Sequence, residues 1–205
     1  MLNIVESNYY SFEAYRENVE KYVYSDCREI NFQNRVVLGV LERLFINDNS
    51  LFIVDISSQY KNRESDIHSR NFYAWKYTPD LLLVKNWNYK NLKKPEEDYL
   101  AVVEIKSPTL DPISKNSKHT LEEVKNYLEN GRKVILTDCY EWIFYDKNKE
   151  PKHFILHDEK EWCLKKEQNP EFIVANYDVG ENRVVSEKWD ELLQYIIDFC
   201  NNNFN

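Results

Sequence analysis

Two short apolar runs that end in charged residues constrain the fold of this 205-residue chain more than any other feature. The first run, Leu81 to Val84, follows Thr78-Pro79-Asp80, and the second, Leu100 to Val103, precedes Glu104-Ile105-Lys106. Both have the length and the large aliphatic residues of strands that are covered on both faces. The lysine-rich segment 86–98 between them contains Pro95 and has loop composition, so the second strand can return antiparallel to the first.

The alternation of side chains along a strand predicts where these charges lie. If Leu82 faces Val102, then Asp80 faces Glu104, and cross-strand partners point to the same side of a sheet. Lys106 projects on the side of Glu104, whereas the residue between them points into the opposite core. The sequence therefore predicts two carboxylates and one ammonium group in a single patch.

A close pair of carboxylates suggests a cation site. Two such groups repel each other unless a cation or a proton intervenes, and the hard divalent ions Mg2+ and Mn2+ prefer oxygen ligands. Asp80 and Glu104 are therefore candidate ligands of Mg2+ or Mn2+. Such an ion lowers the pKa of a bound water, while Lys106 would orient the attacking water or stabilise developing negative charge. This is the chemistry of phosphodiester hydrolysis.

The same residues resemble the motif of the PD-(D/E)XK nuclease superfamily, in which Pro-Asp is followed at variable distance by an acidic-X-Lys triplet. Here the motif reads Pro79-Asp80 and Glu104-Ile105-Lys106. The resemblance implies that Asp80 and Glu104 bind the metal and that the carbonyl of Ile105 can assist. It also implies that Lys106 is the catalytic lysine.

The resemblance implies a fold and an activity as well. It covers roughly residues 31–145, and the stretches 101–108 and 134–145 are similar to the nuclease domains of restriction-enzyme motor subunits. We therefore expect an α/β fold with a restriction-endonuclease-like core, a central mixed β-sheet flanked by helices, within a single domain over residues 1–205. The expected activity is metal-dependent endonuclease cleavage of DNA rather than RNA, and related nucleases often dimerise.

The alternative for so short a motif is a solvated strand edge and a proline-aspartate turn.

A further acid from the helix before the sheet is usual in this superfamily. Residues 31–45 have apolar residues at helical spacing, and Glu42 is the only acid among them. Glu42 is therefore the candidate for a further metal ligand, and the alternative is an ordinary solvated helix residue. Asp55, in the predicted first strand, could join the site or simply end the strand.

A second pair of candidate residues lies on the predicted helix 119–128. Glu123 and Tyr127 have the four-residue spacing at which many relatives carry glutamine and tyrosine near the site. Residues four apart share one helical face, so both could face the substrate or the lysine. A purely structural pair explains the spacing equally well.

Charge divides the functional hypotheses. The net charge of −8 repels phosphate on average, whereas nucleic-acid binding relies on a basic surface. Basic residues nevertheless flank the motif in sequence, and Lys85 and Arg70 are candidates for substrate binding. The alternative is that these basic loops are charged only because they are exposed to solvent. The second hypothesis is therefore a catalytically inactive nuclease-fold protein that acts as a binding or interaction subunit in a restriction or phage-defence system.

Periodicity predicts the remaining elements. Strands interleaved with helices favour an α/β sandwich. We expect a helix at 11–24, strands beginning at Leu51, Leu81, Tyr99, Lys133 and Trp142, a crossover helix at 119–128, short strands at 154–157 and 172–174, and a closing amphipathic helix at 189–199.

Composition excludes several other classes of protein. The three glycines form no phosphate-cradling loop, and the four cysteines form no CxxC pair, which argues against nucleotide-binding folds and zinc sites. No apolar run approaches the roughly 20 residues needed to span a membrane, and the first residues lack the pattern of a signal peptide. We therefore expect a cytoplasmic protein without membrane association.

Overall fold

A mixed six-stranded β-sheet with helices packed against it forms the centre of the structure, a computed structural model that describes residues 10–56, 76–87, 99–108, 117–156, 176–178 and 184–201. The predicted α/β class with a mixed sheet is confirmed. The helices are α1 (Phe12–Ser25), α2 (Glu29–Asn31), α3 (Leu38–Leu44), α4 (Lys118–Glu129) and α5 (Glu187–Asn201), and a π-helical segment, Phe32–Val37, joins α2 to α3. The strands are β1 (Leu51–Asp55), β2 (Leu81–Lys85), β3 (Tyr99–Ile105), β4 (Val134–Thr137), β5 (Glu141–Tyr145), β6 (Lys152–Ile155), β7 (Asn176–Asp178) and β8 (Val184–Ser186).

The strands of the large sheet lie in chain order, β1-β2-β3-β4-β5-β6. Neighbours are antiparallel except for the parallel pair β3 and β4, and α4 makes the crossover that a parallel pair requires. Leu82 lies opposite Val102, so the predicted antiparallel register of β2 and β3 is confirmed. This register aligns the start of β2 with the end of β3.

Both faces of the central strands are buried, which explains why β2 and β3 read as continuous apolar runs. On one face, Leu81, Leu83, Val103 and Ile105 pack into a cluster that includes residues of α1, α3 and α5. On the other face, strand residues pack against α4, and this second cluster comprises Ile56, Leu82, Val84, Val102, Val124, Tyr127, Val134, Leu136 and Ile143.

The ends of α4 are set by local chemistry. The hydroxyl of Ser117 accepts a hydrogen bond from the backbone N of Thr120 at 3.1 Å, which caps the first turn. After the last turn, Gly131 has φ 73°, and the backbone N of Arg132 donates to the carbonyl of Tyr127 at 3.0 Å. This left-handed glycine satisfies the final carbonyls and ends the helix.

Tyr15 of α1 connects three parts of the core. Its hydroxyl donates to the carbonyl of Cys139 at 2.6 Å and accepts from the indole N of Trp142 at 3.1 Å. Its ring stacks on Trp189 of α5, with the ring centroids 4.3 Å apart. The N-terminal helix, the β4–β5 turn and the closing helix are therefore fixed to one another.

The predicted elements and the observed ones differ mainly in two places. The helix expected from residue 31 begins at Glu29 and contains the π-helical segment, where the side chain of Asn18 donates to the carbonyl of Arg35 at 2.6 Å. The strands β7 and β8 were not predicted, because three residues are too few to show a period. The strand expected at 172–174 lies outside the described residues. Among the helices that the structure describes, none has the length and apolar character needed to cross a membrane.

Candidate active site

The predicted charged residues lie where the start of β2 meets the end of β3. Asp80 directly precedes β2, and its backbone N donates to the carbonyl of Val103 at 3.1 Å. One carboxylate oxygen of Asp80, Oδ2, accepts from the backbone N of Ile105 at 2.8 Å. The register of the two strands therefore holds the Asp80 carboxylate against the segment that carries Glu104 and Lys106.

Lys106 directly follows β3 and contacts two carboxylates. Its Nζ lies 2.5 Å from Oε1 of Glu104 and 3.2 Å from Oε2 of Glu123 on α4. Glu104 and Lys106 project on one side of the sheet, as predicted, while the side chain of Ile105 lies in the opposite core. The lysine is thus enclosed between the sheet and the helix.

α4 brings its second predicted residue to the same point. The hydroxyl of Tyr127 donates to Oε2 of Glu104 at 3.0 Å. Together with Lys106 at Oε1, this contact engages both carboxylate oxygens of Glu104, whose exposed fraction is only 4%. The four-residue spacing of Glu123 and Tyr127 therefore reflects a helical face directed at the charged cluster.

Burial makes the two strand carboxyls reluctant to ionise. Burial raises the pKa of Asp80 to about 7, and the charges of Glu29 and Glu123 act in the same direction against the hydrogen bond from Ile105. Burial and the charge of Asp80 raise the pKa of Glu104 to about 8, although Lys106 opposes the shift. The two carboxyl groups therefore do not both carry full charge near neutral pH.

The same concentration of acids also raises the pKa values of Lys106 and Tyr127. Burial alone would lower the pKa of Lys106, but the charges of Glu104, Glu123 and Glu29 outweigh it and raise that pKa above its ordinary value. Burial and the charge of Glu104 raise the pKa of the Tyr127 hydroxyl far above its ordinary value. Lys106 is consequently a cation and Tyr127 a neutral hydrogen-bond donor at physiological pH.

Glu29, which is not part of the sequence motif, is the acid that the helical segment beginning with α2 brings into electrostatic range. It lies in the first turn of that segment, and its charge acts on both Asp80 and Lys106. Glu42, the predicted ligand, is exposed on α3 and is not brought to this cluster. The helix begins two residues before the predicted start, so Glu29 lies outside the predicted helix. The preference for acids in a first helical turn is the signal that could have identified it.

The other predicted residues fall in different places. Asp55 ends β1 opposite Leu81, beside Asp80, and so lies at the same edge of the sheet. Lys85 lies at the far end of β2, five residues or about 17 Å from Asp80 along the strand, where its Nζ is 3.9 Å from Oδ2 of Asp48. The structure therefore does not bring Lys85 to the cluster, and Arg70 lies outside the described residues.

Two contacts around the cluster fix the segments that carry it. The hydroxyl of Ser107 donates to the carbonyl of Cys27 at 2.7 Å, which ties the end of β3 to the segment before Glu29. The hydroxyl of Tyr77 donates to Oε2 of Glu122 at 3.1 Å, which ties the segment before Asp80 to α4.

The donor set of the cluster suits a hard divalent cation. Glu104 is a buried oxygen donor and Asp80 a half-buried one, and the charge of Asp80 raises the pKa of Glu104, a repulsion that a divalent cation would relieve. Within the described residues, no group of three or more His, Cys, Asp or Glu side chains is arranged to hold a metal ion. Mg2+ or Mn2+ would therefore rely on these two carboxylates, with further ligands from the backbone or solvent.

Comparison of the chain with protein-family models, with curated proteins and with solved structures found no match.

Proposed function

We propose that this chain is a metal-dependent nuclease of the PD-(D/E)XK type, with a restriction-endonuclease-like core, and that it hydrolyses phosphodiester bonds in DNA. The observation that carries the proposal is the convergence of Asp80, Glu104 and Lys106 at adjoining strand ends, with Glu123 and Tyr127 added from α4. Buried charges are costly and cluster at functional sites, where shifted pKa values serve the chemistry.

Lys106 would act as a positively charged hydrogen-bond donor and not as a base. Because the surrounding carboxylates raise its pKa, Lys106 stays protonated at neutral pH and cannot accept a proton from a nucleophile. It can instead donate hydrogen bonds to a nucleophilic oxygen or to a phosphoryl oxygen and stabilise the negative charge that develops there.

Asp80 and Glu104 would hold the cation. The backbone N of Ile105 donates to Oδ2 of Asp80 and so orients this carboxylate at the end of β3. Tyr127 orients the Glu104 carboxylate through Oε2. When bound, Mg2+ or Mn2+ would supply Lewis-acid stabilisation of charge on the phosphoryl group. The carbonyl of Ile105 is a further candidate ligand from the same segment.

A cleavage assay tests this function. Purified protein is incubated with supercoiled plasmid, linear duplex and single-stranded DNA, each with Mg2+ or Mn2+ and with a chelator. We expect metal-dependent cleavage that falls at least about 100-fold in Asp80→Asn and in Lys106→Met. Lys125→Gln, which removes an exposed lysine of α4, is the matched control and should cleave like wild type. Cleavage that persists unchanged in both site variants would overturn the proposal.

A second candidate function is that of a binding or interaction subunit with an inactive site. The observation that favours it is the engagement of both Glu104 oxygens by Lys106 and Tyr127, together with the net charge of −8. Calorimetric titration with Mn2+ separates the two candidates. A nuclease should bind the ion in a manner that depends on Asp80 and Glu104, whereas an inactive subunit should show no such binding.

A further inference from the structure

The contacts of Lys106 pose a problem for a cation site. Lys106 is largely buried, with 16% of its side chain exposed, and its Nζ bridges Glu104 of β3 and Glu123 of α4. An ammonium group at 2.5 Å from Oε1 of Glu104 competes directly with a cation for that oxygen and repels it. The other oxygen of Glu104 already accepts from Tyr127.

Lys106 must move away from Glu104 for a cation to bind there without this repulsion. A buried ammonium group without a partner is strongly destabilising, so the lysine needs a second carboxylate within reach. Glu123 meets this requirement, because its Oε2 is already 3.2 Å from Nζ and its side chain is only 12% exposed. Glu123 lies one turn beyond the N-terminus of α4, whose first turn is capped because the hydroxyl of Ser117 accepts from the backbone N of Thr120.

We propose that Glu123 is a positioning residue that receives Lys106 when a divalent cation takes its place at Glu104. This inference rests on the proposed function. The lysine remains paired throughout, because it exchanges one carboxylate for the other over a short movement. Glu123 itself need not contact the ion. The exchange keeps the ammonium group next to the reacting phosphoryl group and frees Oε1 of Glu104 for the cation.

The Mn2+ affinities of variants distinguish transfer of Lys106 to Glu123 from a simple effect of the negative charge of Glu123. If Glu123 acted only through its negative charge, Glu123→Gln would weaken Mn2+ binding equally with or without Lys106. If Glu123 receives the lysine, the substitution weakens binding strongly only when Lys106 is present.

A double-mutant cycle measured by calorimetric titration with Mn2+ distinguishes these cases. The proteins are wild type, Glu123→Gln, Lys106→Met and the double variant. We expect Glu123→Gln to weaken Mn2+ binding about tenfold in the wild-type background and by no more than about twofold in the Lys106→Met background. Glu122→Gln, the neighbouring acid that faces Tyr77 and Lys76, is the matched control and should leave the affinity unchanged.

The possible outcomes distinguish failure of the proposed role of Glu123 from failure of the proposed metal site. Equal losses of affinity in the two backgrounds would overturn the role of Glu123 and leave the metal site standing. No Mn2+ binding by wild type or by Lys106→Met would overturn both. A crystal structure of wild type with Mn2+ gives a check that needs no variant: Lys106 Nζ should lie within hydrogen-bonding distance of Glu123 and beyond 4 Å of Glu104, and a lysine still bound to Glu104 would contradict the exchange.

Discussion

Single side chains at the junction of β2 and β3 carry the chemistry that we propose. Burial raises the pKa values of Asp80 and Glu104 to about 7 and about 8, and the charges of neighbouring acids add to both shifts. Their neighbours divide into those that favour the charge, Lys106 and the backbone N of Ile105, and the acids that oppose it. The site is therefore a balance of charges that a cation or a proton can shift.

Mn2+ binding should depend on pH because the ion competes with protons for Asp80 and Glu104. Since these pKa values are about 7 and about 8, both carboxyls are largely protonated at pH 6 in the metal-free site and ionise as the pH rises through those values. We expect affinity to increase between pH 6 and pH 8 by up to about tenfold per pH unit for each proton displaced. Calorimetric titration in two buffers of different ionisation enthalpy measures both the affinity and the proton release. Affinity that is independent of pH would contradict the raised pKa values of Asp80 and Glu104.

Tyr127→Phe removes the hydroxyl that donates to Oε2 of Glu104 and leaves that buried oxygen without its partner. We expect the free energy of unfolding to fall by about 1–3 kcal/mol, measured by urea denaturation. Tyr24→Phe removes a hydroxyl from a side chain that is 77% exposed, and it should cost close to nothing. Equal stability of the two variants would show that the buried contact contributes little.

The helices and strands decide which side chains can meet. The antiparallel register of β2 and β3 brings Asp80 to Glu104, and the crossover α4 covers the same face with Glu123 and Tyr127. The segment before β2 is in turn fixed to α4. The hydroxyl of Tyr77 donates to Glu122, and the ring centroids of Tyr77 and His119 lie 5.4 Å apart. The site thus depends on how one helix is held over the sheet.

Tyr77→Phe should loosen that connection while it keeps the ring. The variant loses the hydrogen bond to Glu122, and we expect DNA cleavage to fall about two- to tenfold, because small displacements of catalytic groups slow a reaction. Glu122→Ala removes the acceptor and should give the same fall, whereas Glu122→Gln, which keeps an acceptor, should not. Steady-state cleavage rates at saturating DNA measure the effect, and different results for Tyr77→Phe and Glu122→Ala would argue against a shared contact.

Most of these elements could be predicted from the sequence, since their periods are long enough to read. The helix over Phe12–Ser25 and the strands Leu81–Lys85 and Tyr99–Ile105 follow from apolar spacing and strand-length runs. The start of the second helical segment was predicted two residues too late, so Glu29 was not recognised as a helical residue. Element boundaries depend on caps and on local contacts such as that of Asn18 with Arg35, which the apolar period does not encode.

The raised pKa values of Asp80 and Glu104 lower the stability of the whole molecule at neutral and alkaline pH. In the folded chain, Asp80 and Glu104 have pKa values well above the ordinary carboxyl value of about 4, so the folded state retains protons that the unfolded state has released. The contribution of these groups to stability is therefore fully present below about pH 4 and is lost as pH rises through about 7 and 8.

Glu104→Gln should reduce this dependence of stability on pH. We expect the free energy of unfolding of wild type, measured without metal, to decline relative to the variant by more than about 1 kcal/mol between pH 5 and pH 8. Glu129→Gln, which changes an exposed glutamate of α4, should follow wild type. Parallel curves for wild type and Glu104→Gln in urea titrations at pH 5, 6, 7 and 8 would contradict the raised pKa values.

The sequence by itself determined the α/β class, the antiparallel pairing of β2 with β3 and the placement of Glu104 and Lys106 on one side, because strand period and apolar runs are local properties of the chain. Only the tertiary structure decided which distant groups join them. It placed Glu29, Glu123 and Tyr127 at the cluster and left Glu42 and Lys85 away from it. The physical reason is that these contacts depend on where helices begin and how they pack across the sheet, and those positions are set by the whole core.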